Sequence, residues 1–222
     1  MGIPPMPGAV GKGGSMARFT ISKNALYVLR DNSVLVYNIT NTKSPVLENT
    51  LSLAWGMETI FAYDTLLFFG SQSGMYVFSI NNLYNPTFVS EYNHITSCDP
   101  VVFDGTHAYV TLNSAATQCG RGLNQLDILD MSDIEQPENV ASYSLASPKG
   151  LGVDGDFLFV CDNNSLRVYD KSNVLDIKNL VNFDLDQPYD VIPYNGNLIV
   201  TSASGISQYS YNITSKQISL LS

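Results

Sequence analysis

Gly150-Leu-Gly-Val-Asp-Gly-Asp-Phe-Leu-Phe-Val-Cys-Asp-Asn-Asn-Ser-Leu-Arg-Val-Tyr-Asp170 holds three short apolar runs parted by two polar turns. Runs this short, rich in β-branched and aromatic residues, read as strands. The middle run, Phe157-Leu-Phe-Val160, has counterparts in Leu26-Tyr-Val-Leu29, Leu66-Leu-Phe-Phe69, Ala108-Tyr-Val-Thr111 and Leu198-Ile-Val-Thr201, at a spacing close to 41 residues with one gap near 50. Continuous apolar runs are expected where both faces of a strand are buried.

Working outward, Asp104-Gly105, Asp154-Gly155 and Asn195-Gly196 each stand just before one of these runs. Such pairs supply two residues at positive φ, as a type I′ hairpin requires. Each run is therefore expected to pair with a preceding strand: Ala17–Ile21, Glu58–Ala62, Pro100–Asp104, Gly150–Asp154 or Asp190–Tyr194. A third strand follows each run, with Tyr37, Phe78, Leu129, Tyr169 and Tyr209 in equivalent places. Pro45, Pro86 and Pro137 mark the start of a fourth, which is read as the outer edge because proline lacks the ladder N–H.

Five units of four antiparallel strands at this period give an all-β fold, a β-propeller of five blades. An irregular β-sandwich also has many short strands, but it does not require turns recurring in phase. Blades are expected over about 15–54, 55–94, 95–146, 147–186 and 187–222, after a Gly/Pro-rich linker at 1–14 read as disordered. Each blade comes from one continuous segment, so ring closure is expected to rest on packing between blades one and five.

Apolar residues make up 45% of the 222 positions and charged residues 14%, against about 25% in an ordinary domain. The net charge of -9 repels nucleic-acid phosphates and anionic bilayers, so neither is expected as a partner. No apolar run is long enough to span a membrane directly, and MGIPPMPGAVGKGG has neither the charged nor the apolar region of a signal peptide. Cys98, Cys119 and Cys161 form no CxxC pair, and His94 and His107 alone cannot make a multi-His metal site.

The repeat ends Val34-Leu-Val-Tyr-Asn-Ile-Thr-Asn-Thr-Lys-Ser-Pro45 and Leu126-Asp-Ile-Leu-Asp-Met-Ser-Asp-Ile-Glu-Gln-Pro137 resemble LVIVD repeats: an apolar strand, an Asp, a short polar turn and a Pro. Gly13-Gly-Ser-Met-Ala-Arg-Phe19, Ser97-Cys-Asp-Pro-Val-Val102, Gly150-Leu-Gly-Val-Asp-Gly155 and Tyr189-Asp-Val-Ile-Pro-Tyr-Asn195 resemble, in that order, the larger LVIVD-repeat lipoproteins of Bacteroidetes-type bacteria. The similarity covers residues 13–222. It implies a propeller exported to the cell surface or periplasm, without an established activity. The lipobox Cys and signal of such lipoproteins are not in this sequence, the first blade reads VLVYN, and Lys149 stands where related sequences have His.

In a propeller the fourth-to-first and second-to-third connections share one face, the top. The inner strands begin there, at Arg18, Glu58, Asp99, Lys149 and Asp190. Two basic and three acidic residues at one mouth fit a ligand site and fit a solvated ion-pair ring equally well. Asp162, His94, Cys98, Cys161 and the only Trp, Trp55, are expected on the same face, as is an insertion over 113–122 that carries Cys119. Trp55 suits stacking on a sugar, anchoring a partner, or packing. Asp99, Asp162, Asp190 and Glu58 offer oxygen ligands to Ca²⁺, although their spacing matches no calcium loop; no other cofactor is indicated. A disulfide between Cys98 and Cys119 is expected if the protein is exported, against the alternative of free thiols. No nucleophile–base pair can be named. The reading that follows is a non-catalytic, extracytoplasmic binding or scaffold module with a protein or glycan partner at the top face. The alternatives are a metal-dependent hydrolase or lactonase-like propeller and a carbohydrate-binding module.

Overall fold

The computed structural model describes residues 14–53, 56–93, 100–113 and 123–222. They form five separate four-stranded antiparallel sheets. Blade 1 is β1 (Phe19–Ser22), β2 (Ala25–Arg30), β3 (Ser33–Asn38) and β4 (Val46–Ser52). Blade 2 is β5 (Met57–Tyr63), β6 (Leu66–Ser71), β7 (Gly74–Ser79) and β8 (Thr87–Asn93). Blade 3 is β9 (Val101–Phe103), β10 (His107–Leu112), β11 (Gln125–Asp130) and β12 (Glu138–Ser144). Blade 4 is β13 (Pro148–Asp154), β14 (Phe157–Asp162), β15 (Ser165–Asp170) and β16 (Lys178–Asp184). Blade 5 is β17 (Asp190–Tyr194), β18 (Asn197–Ser202), β19 (Gly205–Asn212) and β20 (Gln217–Leu220). In every blade the strands pair in sequence order.

The recurring polar tail of each unit is a turn device. Asp130 Oδ1 accepts from Ser132 N at 2.8 Å, Asp170 Oδ1 from Ser172 N at 3.0 Å, and Asn38 Oδ1 from Thr40 N at 2.9 Å. A second side chain, Asn41, Asn82, Asp133 or Asn173, accepts from the amide two residues on. These local bonds compete with the ladder and end the third strand. Pro45, Pro86 and Pro137 then precede β4, β8 and β12, as expected for an outer edge. A register shift follows the turn at the same place in four blades, at Val36/Tyr37, Val77/Phe78, Ile128/Leu129 and Val168/Tyr169.

The inner hairpins differ from the expected type I′ turns in two of three cases. Only Asn195 and Gly196 both take positive φ, at 50° and 73°. Elsewhere the glycine alone does so, Gly105 at 104° and Gly155 at 53°, and the Asp remains on the strand side. For Asp104 the reason is local: its Oδ1 accepts from Thr106 N at 2.9 Å and His107 N at 2.8 Å, which holds it as the cap of the loop.

Side chains alternate between the two faces of each blade, and four apolar clusters fill the junctions 1–2, 2–3, 3–4 and 4–5. Polar staples cross the same junctions: Tyr27 Oη donates to Leu83 O at 2.7 Å, Ser90 Oγ to Ile134 O at 2.5 Å, and Tyr143 Oη to Val174 O at 2.8 Å. Among the described residues no apolar cluster joins blade 5 to blade 1. The expected closure by packing of those two blades is therefore corrected. The N-terminal segment that leads into β1 reaches blade 5 instead: Ser15 and Met16 bond Asp190, while Ala17 O accepts from Ile60 N of blade 2 at 2.9 Å. The linker expected over 1–14 lies outside the described residues except for Gly14, which is buried.

Candidate functional site

The first rung of the inner strands positions the charged residues read from the sequence. Arg18 O accepts from Leu29 N, and Asp190 pairs with Thr201, so these two hold equivalent places. Glu58 and Lys149 fall inside register shifts, between Met57 and Thr59 and between Pro148 and Leu151, and so are displaced from that rung. Trp55, Asp99, His94, Cys98 and Cys119 lie outside the described residues, as does the proposed Cys98–Cys119 bond.

Each described member has specific surroundings. Arg18 is exposed. Glu58 Oε1 accepts from Gln72 Nε2 at 2.9 Å. The Lys149 ammonium stands 4.4 Å over the Tyr189 ring rather than in an ion pair with Asp190. Asp190 is pressed against Gly150, whose added Cβ would lie 2.3 Å from Asp190 Oδ1. Its carboxylate accepts from Ser15 Oγ at 3.1 Å, Met16 N at 3.2 Å and Val191 N at 2.9 Å. Burial nevertheless pushes its pKa up to about 6, because these bonds offset desolvation only in part. Cys161, a buried free thiol, lies close enough to feel both Asp190 and Lys149; burial pushes its pKa up. Asp162 is fully buried, pairs with Arg167 Nη2 at 2.9 Å, and accepts from Ala146 N and Ser147 N at 3.0 and 2.7 Å. It therefore holds the connection between blades 3 and 4.

The structure opens a cavity at the other end of the axis. It measures about 380 Å³ and is walled by inner-strand residues: Phe61, Val102, Phe103, Leu151, Val153 and Val191. Asp64, Asp104 and Asp154 stand at its hairpin end. Asp104 Oδ2 is held by Lys171 Nζ at 2.7 Å and Tyr109 Oη at 2.9 Å. Burial raises its pKa, but hydrogen bonds from His107, Lys171 and Thr106 outweigh that and hold it below the ordinary carboxylate range. Asp154 accepts from Tyr211 Oη. Asp64 is exposed. An apolar slot with a few polar groups at one end is the usual form of a small-molecule site. The sequence carries its signal in the inner-strand apolar residues and the Asp-Gly pairs, whose pattern specifies strands and turns but not the space between them. Among the described residues no group of three or more His, Cys, Asp or Glu is placed to hold a metal ion, and no helix is long and apolar enough to cross a membrane.

No family model matches the chain, and no curated protein matches it in sequence. Solved structures match it in fold. A functionally unknown protein from Desulfotomaculum acetoxidans superposes with a TM-score of 0.76 at 14% identity, over 96% of this chain and 70% of that one. The periplasmic gluconolactonase of Pseudomonas aeruginosa gives 0.67 at 14% identity, over 90% and 66%. BamB from Moraxella catarrhalis gives 0.54 at 10% identity, over 86% and 70%. The chain thus spans about two thirds of the length of these solved chains, and at such identities the likeness is one of fold. The five sheets and these neighbours make the chain an array of β-propeller blades.

Proposed function

We propose that the chain is a non-catalytic, extracytoplasmic binding module that takes a ligand in its axial cavity. The cavity of about 380 Å³ is the observation that carries this reading. Its walls are apolar and aromatic, its hairpin end is acidic, and the chain's charge of -9 attracts cations. The ligand this chemistry suits has an apolar body and a positively charged head. Support for a binding role over catalysis comes from the carboxylates themselves: Asp104, Asp162 and Asp190 each accept several hydrogen bonds that fix the blades. Support for an envelope location comes from the resemblance to LVIVD-repeat lipoproteins; one protein of similar fold is itself periplasmic.

Titration calorimetry with benzyltrimethylammonium tests the reading, with glucose and gluconolactone as neutral controls. Saturable binding of the cation, weakened by Asp64→Asn without a change in melting temperature, is expected. Equal binding of glucose, or no saturable binding, overturns it. Hydrolysis of gluconolactone overturns the non-catalytic assignment in favour of a lactonase.

A further inference from the structure

Blade 1 presents a face that every other blade buries. On that face Leu26 pairs with Tyr37, and Val28 pairs with Phe19 and Leu35. The equivalent pair in blade 5, Leu198 with Tyr209 beside Val200, repeats Leu, Tyr and Val residue for residue and is buried against blade 4. The same positions in blades 2, 3 and 4, such as Leu67 with Phe78 and Leu158 with Tyr169, are buried against the preceding blade. In blade 1, Leu26, Val28 and Tyr37 are only half-buried. The innermost position makes the contrast plain. Phe19 is 59% exposed, whereas its counterparts Ile60, Val101, Leu151 and Val191 are at most 1% exposed.

The opposite end of the array is different in kind. Blade 4 turns Phe157, Phe159, Cys161, Leu166 and Val168 toward blade 5. At the same positions blade 5 has Asn197, Ile199, Thr201, Ile206 and Gln208, with Ile206 69% exposed. Three of five apolar residues have become polar, which is how a terminal repeat meets water. Among the described residues, the face that a second copy of this chain offers in place of blade 4's is the polar one of blade 5, which does not complement the open face of blade 1.

We propose that the open face of blade 1 is the docking surface for one further four-stranded propeller blade, presenting an apolar, aromatic face like that of blade 4 and unlike the polar face of blade 5. The contact continues an interface already formed four times in the chain. Space for it exists in the fold, since the solved propellers that the chain matches are covered only to 66–70% of their length.

The test supplies such a blade. A second copy of residues 146–186 is placed ahead of Met1, with residues 1–13 as the linker. Thirteen residues at roughly 3.3 Å each span about 43 Å, enough to reach the outer edge of a blade. The extended chain is expected to melt in one transition, at a higher temperature than the 222-residue chain. Phe19→Ser should leave the shorter chain's melting temperature nearly unchanged and lower that of the extended chain by several degrees. Ile206→Ser should be silent in both. The proposal is overturned if Phe19→Ser has the same effect in both chains, or if the added blade melts separately. It is also overturned if light scattering finds the shorter chain dimeric and Phe19→Ser makes it monomeric, since a second copy would then be the occupant.

Discussion

The hydroxyl of Ser15 donates to Asp190 Oδ1 at 3.1 Å, joining the segment before the first strand to the start of the seventeenth. The same oxygen accepts from Leu151 N at 2.7 Å, so one side chain ties the N-terminal segment to blades 4 and 5. No apolar cluster does this work among the described residues.

Ser15→Ala should therefore destabilise the protein. It leaves the buried Leu151 amide without its acceptor and removes one of the donors to Asp190, a loss of about 1–3 kcal/mol. Urea denaturation with unchanged m-value is the check. A loss within 0.5 kcal/mol, the ordinary surface effect, would show that the segment does not fasten the array.

Asp190 sets a pH dependence of definite sign. Its folded pKa, about 6, lies above the ordinary 3.8, so the folded state holds the proton more tightly. Stability from this group should rise as pH falls from 7 through 6 and level off below about 4. Asp170, held down to about 2 chiefly by its hydrogen bond from Lys216, acts oppositely and loses its contribution as pH falls below about 4. Both contributions turn over near the ordinary 3.8, so melting temperature should peak near pH 4. Asp190→Asn should raise it at pH 7 and flatten the slope between pH 5 and 7; a slope left intact would assign it to another group.

Lys171 and Asp104 form a buried pair, with side chains 8% and 17% exposed. Lys171→Met strands a carboxylate that also holds Tyr109, and a loss of about 3–5 kcal/mol is expected. Lys178, paired with Asp176 at 2.5 Å in solvent, is the control: Lys178→Met should cost less than about 1 kcal/mol. Parallel denaturant melts separate the two.

Close approach of the inner strands β13 and β17 depends on glycine. A Cβ on Gly150 would lie 2.7 Å from both Asp190 Cα and Tyr189 O, and one on Gly152 would lie 2.6 Å from Pro193 Cδ. Gly150→Ala meets backbone, which has nowhere to go, and should cost about 1–3 kcal/mol or prevent folding. Gly205→Ala meets no atom within 4 Å but carries φ of 122°, so its penalty is conformational alone. Far-UV spectra and melts of both variants distinguish steric from torsional cost.

The blade architecture was legible because its signals are local. Each strand, turn and outer-edge proline is specified within a dozen residues, and fivefold recurrence removed the ambiguity of any single run. The polar tails of the LVIVD-like segments proved to be side-chain caps on turns, which accounts for their recurrence without any ligand. The hairpin reading erred at Asp104 because a side-chain hydrogen bond to its own loop decides which residue takes positive φ.

What the sequence by itself determined is which residues are strands and which of their faces are apolar, since alternation along a strand is a property of the chain. Tertiary structure alone decided what those faces meet. Identical Leu, Val and Tyr residues are buried in blade 5 and half-open in blade 1, because burial depends on whether another blade lies against them. Likewise the charges at Lys149 and Asp190 were visible in the sequence, but their partners were not. A lysine over a tyrosine ring and an aspartate under the N-terminal segment depend on distances between residues far apart in the chain, and those distances exist only once the blades have packed.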